Sequence, residues 1–400
     1  MMRVASTVME TQRTEVGVGA ARPIRTLHQD VTDKPFIVIW EVSRACQLVC
    51  AHCRADAQHH RHPDELDTDQ GRRLLDDLAA YEAPRPIVVL TGGDPFERPD
   101  LAELVAHGTA AGLHVAISPS VTPRLTLERL AELRAAGAGA VSLSLDGATP
   151  ATHDGFRGVP GVYDATLAAA AQVNAAGFRL QINSTVTRGN VTEFPALLRT
   201  VVDLGTSLWS VFFLVPTGRG EQLDALSADE VEEMLHWLHD VSDHVAIKAT
   251  EAPHFRRVAI QRAAVDDVDA AFPPGPLRQK LRADTVALLG GLHGTRRAPR
   301  PPLDVNAGRG FAFIDHLGVV YPSGFLPLAA GSVREHPFPD VYRDSPLLRS
   351  LRDPNALGGR CGRCEFRDVC GGSRSHAFAV TGNPLAEDPS CAYVPAAPKA

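Results

Sequence analysis

Short apolar segments alternate with helix-like segments through most of the chain. Each strand-like run is followed by a stretch in which apolar residues recur at helical spacing. The runs cover about residues 36–42, 86–90, 114–118, 140–145, 179–186 and 208–215. Such alternation favours parallel strands joined by helical crossovers, arranged either as an open barrel or as a doubly wound sheet.

The same pattern divides the chain into four parts. Residues 1–34 are polar and aperiodic, which predicts a disordered N-terminal tail. Residues 35–245 carry the strand–helix units. In residues 246–309 the order weakens, and FPPGP and several glycines indicate a linker or insertion. Residues 310–400 form a small C-terminal module, in which FAFID and GVVY predict a hairpin.

Two helix starts have recognisable capping residues. Thr68 is expected to cap the helix that follows the first strand-like run. Ser227 and Glu230 have the spacing of a capping box ahead of a helix rich in leucine.

Composition indicates a globular protein, since 44% of the residues are hydrophobic and 22% are charged. The formal net charge of −7 argues against binding to a nucleic-acid backbone. No apolar run approaches the ~18 residues that span a bilayer, and the N-terminus lacks the apolar stretch of a signal peptide. We therefore expect a cytoplasmic protein with no membrane association. Clustered cysteines in that compartment indicate metal binding rather than disulfides.

All seven cysteines fall into two tight groups, more than 300 residues apart. The first group has the spacing C-x3-C-x2-C and the second C-x2-C-x5-C-x20-C; in chain order they are Cys46, Cys50 and Cys53, then Cys361, Cys364, Cys370 and Cys391. Three thiolates can bind three irons of a [4Fe–4S] cluster and leave the fourth iron open, whereas four thiolates can close a cluster completely. The two groups therefore predict a reactive centre and an electron relay or structural centre.

Other polar residues also follow predicted strands. Cys46 follows the first strand, Gly92–Pro95 the second, Ser118 and Ser120 the third, and Asp146 the fourth. Both candidate architectures place chemistry at the carboxyl ends of parallel strands. We therefore expect these residues to gather at the same end of the sheet, where the strands end.

The cysteine motif, the Gly92-Gly93-Asp94-Pro95 turn and the repeated strand–helix units together resemble the radical S-adenosylmethionine (SAM) enzymes over about residues 35–245. The tail, CGRCEFRDVCGGSRSHAFAVTGNPLAEDPSC, is similar to the SPASM class of C-terminal extensions. Within that class, the sequence of this tail most resembles that of the radical SAM enzymes of haem and denitrification-haem synthesis. The resemblance implies an α/β fold, a partial (β/α)6 TIM-type barrel with a small C-terminal iron–sulfur module of the SPASM or twitch type.

The resemblance also implies cofactors and contacts. SAM would chelate the open iron of the cluster on Cys46, Cys50 and Cys53, and its reductive cleavage would give a 5′-deoxyadenosyl radical that abstracts hydrogen. Backbone carbonyls of the glycine pair would meet the methionyl ammonium, because only glycine allows so close an approach. The strand-end positions that match ribose or adenine contacts are Ser144, Asn183 and Val215.

The chain departs from the family pattern in two places. Asp94 stands where the family usually has glutamate, so its arm toward the ammonium is one methylene shorter. Ser323 and Ser373 stand where fully equipped SPASM tails have two more cysteines of a second auxiliary cluster. We therefore predict one auxiliary [4Fe–4S] cluster, held by the four C-terminal cysteines.

Several functional interpretations remain open at this point. The tail favours modification of a tetrapyrrole side chain, and the resemblance equally admits maturation of a peptide or protein. Either enzyme would need an electron donor such as flavodoxin or ferredoxin. A different class is a non-catalytic iron–sulfur or zinc protein, because C-x2-C motifs also bind structural zinc. His59, His60 and His62 indicate a solvated loop rather than a metal site, and HDGFRG (153–158) has no assigned chemistry.

Overall fold

The computed structural model describes residues 24–25, 30–294 and 300–396. Most of the predicted N-terminal tail, residues 1–23 and 26–29, lies outside these ranges. No helix of the described ranges is both long enough and apolar enough to cross a membrane.

In the described ranges, ten strands form a single sheet. They are β1 (Ile37–Ser43), β2 (Ile87–Gly92), β3 (His114–Ile117), β4 (Ala140–Ser144), β5 (Arg179–Val186), β6 (Leu208–Phe213), β7 (Ile247–Thr250), β8 (Phe311–Ile314), β9 (Val319–Tyr321) and β10 (Gly331–Ser332). The strand order is β10-β9-β8-β1-β2-β3-β4-β5-β6-β7. Strands β1 to β7 thus follow one another in chain order, and all are parallel. Sequential order is typical of a barrel, whereas a doubly wound sheet reverses it, so the partial-barrel prediction is confirmed.

Helices connect the strands of the barrel. They are α1 (Thr68–Ala79), α2 (Leu101–Ala110), α3 (Leu127–Ala135), α4 (Pro150–Arg157), α5 (Val162–Ala175), α6 (Phe194–Asp203) and α7 (Ala228–Asp240). The side chains of β5 alternate between a fully buried face and a more exposed face. The buried face packs on the helices: Trp209 of β6 stacks on Phe194 and contacts Trp237, with ring centroids 5.6 and 6.3 Å apart. The other face lines the interior of the barrel.

One of the two predicted helix caps is confirmed, and the other lies one residue earlier than predicted. Ser227 and Glu230 form the predicted capping box of α7. The cap of α1 is Asp67 rather than Thr68, and it makes a capping box with Gln70. Aspartate is as good a cap as threonine. The Thr68 hydroxyl instead donates a hydrogen bond to Asp100, directly before α2.

Residues 246–309 contain more regular structure than a linker. They include β7 and the helices α8 (Phe255–Ala263), α9 (Val268–Ala271) and α10 (Pro276–Leu289). Helix α10 lies against the barrel, where Leu281 and Thr285 are fully buried and Trp237 Nε1 donates to Thr285 Oγ1 (3.1 Å). The FPPGP segment lies at the start of α10, where proline is favoured, and Gly290 ends the same helix.

The C-terminal module extends the barrel sheet. Strands β8 and β9 form the predicted antiparallel hairpin, and β8 also pairs in parallel with β1. Up to residue 396, the module also contains four short α-helices: α11 (Phe338–Asp344), α12 (Pro346–Arg352), α13 (Gly359–Arg363) and α14 (Arg374–Thr381). Parallel pairing with β1 brings the module beside the strand that leads into the first cysteine group.

Candidate functional site

The loop that carries the first three cysteines begins where β1 ends. Two hydrogen bonds close its base, from Cys46 N to Gln58 O (2.7 Å) and from Gln58 N to Arg44 O (3.1 Å). Within the loop, Cys53 N donates to Cys50 O (3.2 Å). All three thiols are free. The predicted ligand set therefore lies on one short, closed loop at the carboxyl edge of the sheet.

Cys46 is connected by hydrogen bonds to the glycine pair. Its thiol donates to Ser120 Oγ (3.4 Å), and the Ser120 hydroxyl donates to Gly93 O (2.7 Å). Leu48 N donates to Cys46 Sγ (3.4 Å). Burial raises the pKa of the Cys46 thiol to about 11. A buried thiol of this kind becomes a thiolate when a metal binds it, and the Leu48 N–H is already placed to stabilise the sulfur.

The glycine pair packs directly against the chain that leads into the cysteine loop. Gly93 N donates to Ser43 O (2.8 Å), and Asp94 N donates to Ala45 O (2.6 Å). A Cβ atom at Gly92 would lie 2.3 Å from Ser43 O, and one at Gly93 would lie 2.4 Å from Ala45 O. Only glycine fits at either position, because a Cβ there would collide with backbone oxygen.

Asp94 has structural partners for both of its carboxylate oxygens. Oδ1 accepts from Phe96 N (3.1 Å) and Oδ2 from Thr122 Oγ1 (2.8 Å). The side chain is fully buried, and burial raises its pKa to about 6. The carboxylate thus caps the turn that follows the glycine pair and joins it to the loop after β3.

A row of polar side chains crosses the inner face of the barrel. In neighbouring strands Ser144 pairs with Asn183, Asn183 with Ser210, and Ser210 with Lys248. These residues face away from the helix layer, because the adjacent Trp209 faces into it. Burial lowers the pKa of Lys248, and the Glu251 carboxylate acts in the opposite direction. The row joins two predicted SAM contacts to an interior cation.

Val215, the third predicted strand-end contact, lies two residues beyond β6 and is buried. Its carbonyl accepts a hydrogen bond from Thr217 N (2.8 Å). The preceding carbonyl, Leu214 O, is bonded to His376 Nε2 (2.8 Å), a side chain of α14. The C-terminal module therefore touches the barrel next to a predicted nucleoside contact.

A buried charged group anchors the other end of the cysteine loop. Arg54, which follows Cys53, forms a 3.1 Å salt bridge with Glu41 of β1 and lies over the Phe313 ring of β8. His316 Nδ1 lies 2.9 Å from the second oxygen of Glu41. Burial favours a neutral Glu41, but Arg54 and His316 outweigh it and lower the pKa of the carboxyl. The loop is thus held by both the barrel and the module.

The four C-terminal cysteines line one cavity. They share it with three arginines and with Asp388; the cysteines are Cys361, Cys364, Cys370 and Cys391, and the arginines are Arg257, Arg360 and Arg367. Backbone N–H groups donate to two of the sulfurs, Gly372 N to Cys370 Sγ (3.5 Å) and Asp388 N to Cys361 Sγ (3.4 Å). Burial raises the pKa of Cys370 to about 12. Four free thiols with cations and N–H donors fit a negatively charged iron–sulfur cluster.

The two serines that replace family cysteines meet at one carboxylate. Ser323 Oγ donates to Glu251 Oε1 (2.9 Å), and Ser373 Oγ donates to Glu251 Oε2 (2.8 Å). Glu251 follows β7 and has a left-handed backbone with φ of 59°. Non-glycine residues adopt that conformation rarely and at a cost of about 1–3 kcal/mol. The serines and the glutamate therefore form a hydrogen-bonded bridge between the barrel and the module.

Within the described ranges, no three His, Cys, Asp or Glu side chains converge closely enough to hold a single metal ion. A [4Fe–4S] cluster does not require such convergence, because each thiolate binds a different iron. Both cysteine groups fit a cluster by their donor chemistry, because all seven thiols are free. The first group lies on one closed loop, and the second lines one cavity. His59, His60 and His62 are exposed, as expected for a solvated loop.

Sequence reasoning missed several polar residues of the site. No sequence motif marks three of these residues. Only a position near the end of a strand distinguishes Thr122, Glu251 and Lys248. Glu41 and His316 are 275 residues apart in the chain. Only a prediction of the β1–β8 pairing would have brought those two together.

The fold and the site define a radical SAM enzyme with a C-terminal cysteine-rich extension. The family model described as "Radical SAM superfamily" matches residues 40–201. The AdoMet-dependent heme synthase of Methanosarcina barkeri is 37% identical over 91% of this chain and 98% of that protein. The chain belongs to the radical SAM superfamily, whose cofactors are SAM and a [4Fe–4S] cluster. The non-catalytic alternative has no support from these similarities.

Two further similarities cover nearly the whole chain. The AdoMet-dependent heme synthase of Oleidesulfovibrio alaskensis is 38% identical over 94% of this chain and 92% of that protein. Among solved structures, SuiB of Streptococcus suis bound to S-adenosylmethionine superposes with a TM-score of 0.63 at 15% identity, over 90% of this chain and 78% of that one. The second similarity shows the fold alone.

Proposed function

We propose that this enzyme modifies a tetrapyrrole side chain in haem-type biosynthesis. The observation that carries the proposal is the 37–38% identity to two AdoMet-dependent heme synthases over more than 90% of all three chains. Identity of that extent includes the barrel interior and the C-terminal module together. A shared substrate class is the simplest reason for both parts to be similar.

The proposed cofactor site has three thiolate ligands and a set of polar contacts. Cys46, Cys50 and Cys53 would hold the [4Fe–4S] cluster to which SAM binds. Gly92 and Gly93 would face the methionyl group with Asp94 supporting their turn, and Ser144, Asn183 and Val215 would contact the nucleoside. When bound, SAM and the cluster supply a radical that abstracts hydrogen from an unactivated carbon.

The proposed reaction is the oxidative decarboxylation of a propionate side chain. The side chain, –CH2–CH2–COO⁻, loses one hydrogen atom to the radical, then carbon dioxide and one electron, and leaves a vinyl group. Lys248 supports this substrate class, because an interior ammonium can bind a carboxylate by a charge-assisted hydrogen bond. Its place in the same row as Ser144 and Asn183 would bring that carboxylate close to the nucleoside.

The electron released in this reaction requires an acceptor. We propose a single auxiliary [4Fe–4S] cluster on Cys361, Cys364, Cys370 and Cys391 for that role. The bridge from Glu251 to Ser323 and Ser373 supports the count of one, because a carboxylate lies between the two positions where further cysteine ligands would be needed. We further propose that the enzyme works in the cytoplasm with flavodoxin or ferredoxin as electron donor.

Anaerobic reconstitution followed by product analysis tests the proposal. The protein should bind about eight irons per chain, and with dithionite and SAM it should form 5′-deoxyadenosine. Iron-loaded and metal-free porphyrins with propionate side chains are then incubated with it and analysed by mass spectrometry. Loss of carbon dioxide and two hydrogens from the carboxylic acid form of each modified side chain supports the proposal. Turnover of small peptides with loss of two hydrogens, and none of porphyrins, would instead support a peptide maturase.

Cysteine variants that remove one cluster at a time distinguish the roles of the two clusters. Replacing Cys46, Cys50 and Cys53 by alanine should leave about four irons and abolish SAM cleavage, because the other four thiols still close one cluster. Replacing the four C-terminal cysteines should also leave about four irons, but SAM cleavage should persist. Zinc in place of iron in the C-terminal group would contradict the proposed electron acceptor.

A further inference from the structure

The HDGFRG segment, residues 153–158, lies directly under the cysteine loop. Ala51 N donates to Phe156 O (2.8 Å), and the rings of His52 and Phe156 lie 4.7 Å apart. Gly158 has φ of +71°, and a Cβ there would lie 2.8 Å from Val49 O. The end of α4 therefore forms a platform on which residues 49–52 rest.

Arg157 extends from this platform to a cluster ligand. Its guanidinium is buried, with Nη1 3.7 Å from Cys50 Sγ. Its Nη2 is paired with the carboxylate of Asp146. A guanidinium is not deprotonated in proteins, and the carboxylate of Asp146 is its counter-charge. The arginine thus carries its full charge beside the sulfur.

Asp146 is fixed in turn by the same segment and by β5. Its Oδ1 accepts from Thr185 N (2.7 Å), and its backbone N–H donates to His153 Nδ1 (3.0 Å). His153 is fully buried, and its Nε2 lies 3.4 Å from Thr166 Oγ1. Because Nδ1 accepts a hydrogen bond, the proton of the neutral ring resides on Nε2 and points to Thr166. Asp146 and Arg157 therefore have almost no freedom to reorient.

We propose that Arg157 is a positioning residue that holds a fixed positive charge against Cys50 and thereby sets the reduction potential of the cluster on the cysteine loop, with Asp146 as its counter-charge. The proposal rests on the ligand assignment under Proposed function. Reduction adds one negative charge to a cluster, and a nearby cation stabilises the reduced form more than the oxidised form. Hydrogen bonds and charge near the sulfurs are established means of tuning such potentials.

The charge relation gives two variants with opposite expected effects. Arg157→Gln removes the cation and should lower the midpoint potential of the SAM-binding cluster, by about a tenfold change in the equilibrium constant for reduction, or ~59 mV for one electron. Asp146→Asn removes the counter-charge and leaves the arginine, so it should raise the potential. Arg157→Lys keeps the charge and should stay closer to the wild type than Arg157→Gln. A purely structural platform predicts instead that both Arg157→Gln and Asp146→Asn lose iron, with no opposite shifts.

The experiment is a redox titration followed by electron paramagnetic resonance (EPR), in protein whose four C-terminal cysteines are replaced by alanine so that one cluster is observed. Iron is counted in every sample. Arg199→Gln, a half-exposed arginine of α6 paired with Asp203, is the matched control and should leave the potential unchanged. Opposite shifts in the Arg157 and Asp146 variants support the proposal, and unchanged or parallel shifts at full iron content overturn it. If Arg157→Gln binds no iron, the Asp146→Asn potential decides: a rise supports the proposal, and no rise overturns it.

Failure of the ligand assignment is distinguishable from failure of this inference. Without a cluster on Cys46, Cys50 and Cys53, the parent protein of the titration contains no iron and gives no EPR signal. With such a cluster, the signal is present and only its potential is in question.

Discussion

Gly92 and Gly93 lie where two backbone segments almost touch. Their α-carbons face the carbonyl oxygens of Ser43 and Ala45, the residues that lead into Cys46. The sequence predicted that close approach required glycine here, and the structure supplies one such approach, to the protein's own backbone. The approach to the methionyl ammonium stays a prediction. A glycine pair in the sequence does not reveal whether glycine is required by a contact with the protein backbone or by a contact with a cofactor.

Gly92→Ala should destabilise the protein and weaken iron binding. Its Cβ would lie 2.3 Å from Ser43 O, so the end of β1 and the cysteine loop must shift, at a cost of about 1–3 kcal/mol. Denaturant unfolding of the reduced, iron-free protein and iron analysis after reconstitution measure the two effects. Gly155→Ala is the control, because a Cβ there meets nothing within 4 Å, and alanine should stabilise α4 by about 0.5–1 kcal/mol. Equal stability of Gly92→Ala and the wild type would contradict the packing argument.

Strand β7 shows how an element can be missed and still matter. It has only four residues, Ile247–Thr250, and its inner face carries Lys248. A short run with a central lysine lacks the apolar alternation that identified the six earlier strands. Its pairing with β6, residue by residue from Trp209 to Phe212, fixes the register instead. That register places Lys248 beside Ser210 and makes it a cation of the barrel interior.

Lys248→Met should weaken the binding of a porphyrin with propionate side chains. A hydrogen bond to a charged group contributes about 1.5–3 kcal/mol, so affinity should fall roughly tenfold to a hundredfold. Absorbance titration of the porphyrin with anaerobic enzyme measures the change. Lys280→Met on the exposed side of α10 is the control and should bind like the wild type. If Lys248→Met also retains wild-type affinity, the carboxylate is bound elsewhere.

At the scale of the whole molecule, the barrel and the C-terminal module share one sheet. Strand β8 pairs in parallel with β1 over Ile37 to Trp40, although more than 270 residues separate them. The barrel, the hairpin and the two cysteine groups could be predicted because strand alternation, helix periodicity and cysteine spacing are local patterns. The β1–β8 pairing and the Glu251 bridge could not, since both depend on contacts between distant segments that have no signature of their own.

A chain that ends at residue 309 should therefore be insoluble or aggregated. Without β8, the edge of β1 exposes unpaired N–H and C=O groups and the buried side chains beside them, which favours edge-to-edge association. Size-exclusion chromatography of the truncated and full-length proteins measures this outcome. Co-expression of residues 310–400 as a separate chain should restore solubility if the missing pairing is the cause. A soluble, monomeric fragment that folds cooperatively would show that the barrel does not need the module.

The central claim is that the three-thiolate loop holds a cluster whose fourth iron binds SAM. The most direct measurement is the EPR spectrum of the reduced, iron-loaded wild-type protein before and after addition of SAM without oxygen. We predict a changed signal from one of two clusters and an unchanged signal from the other, because only the first cluster has an open iron. A spectrum that does not respond to SAM at full iron content would contradict the account.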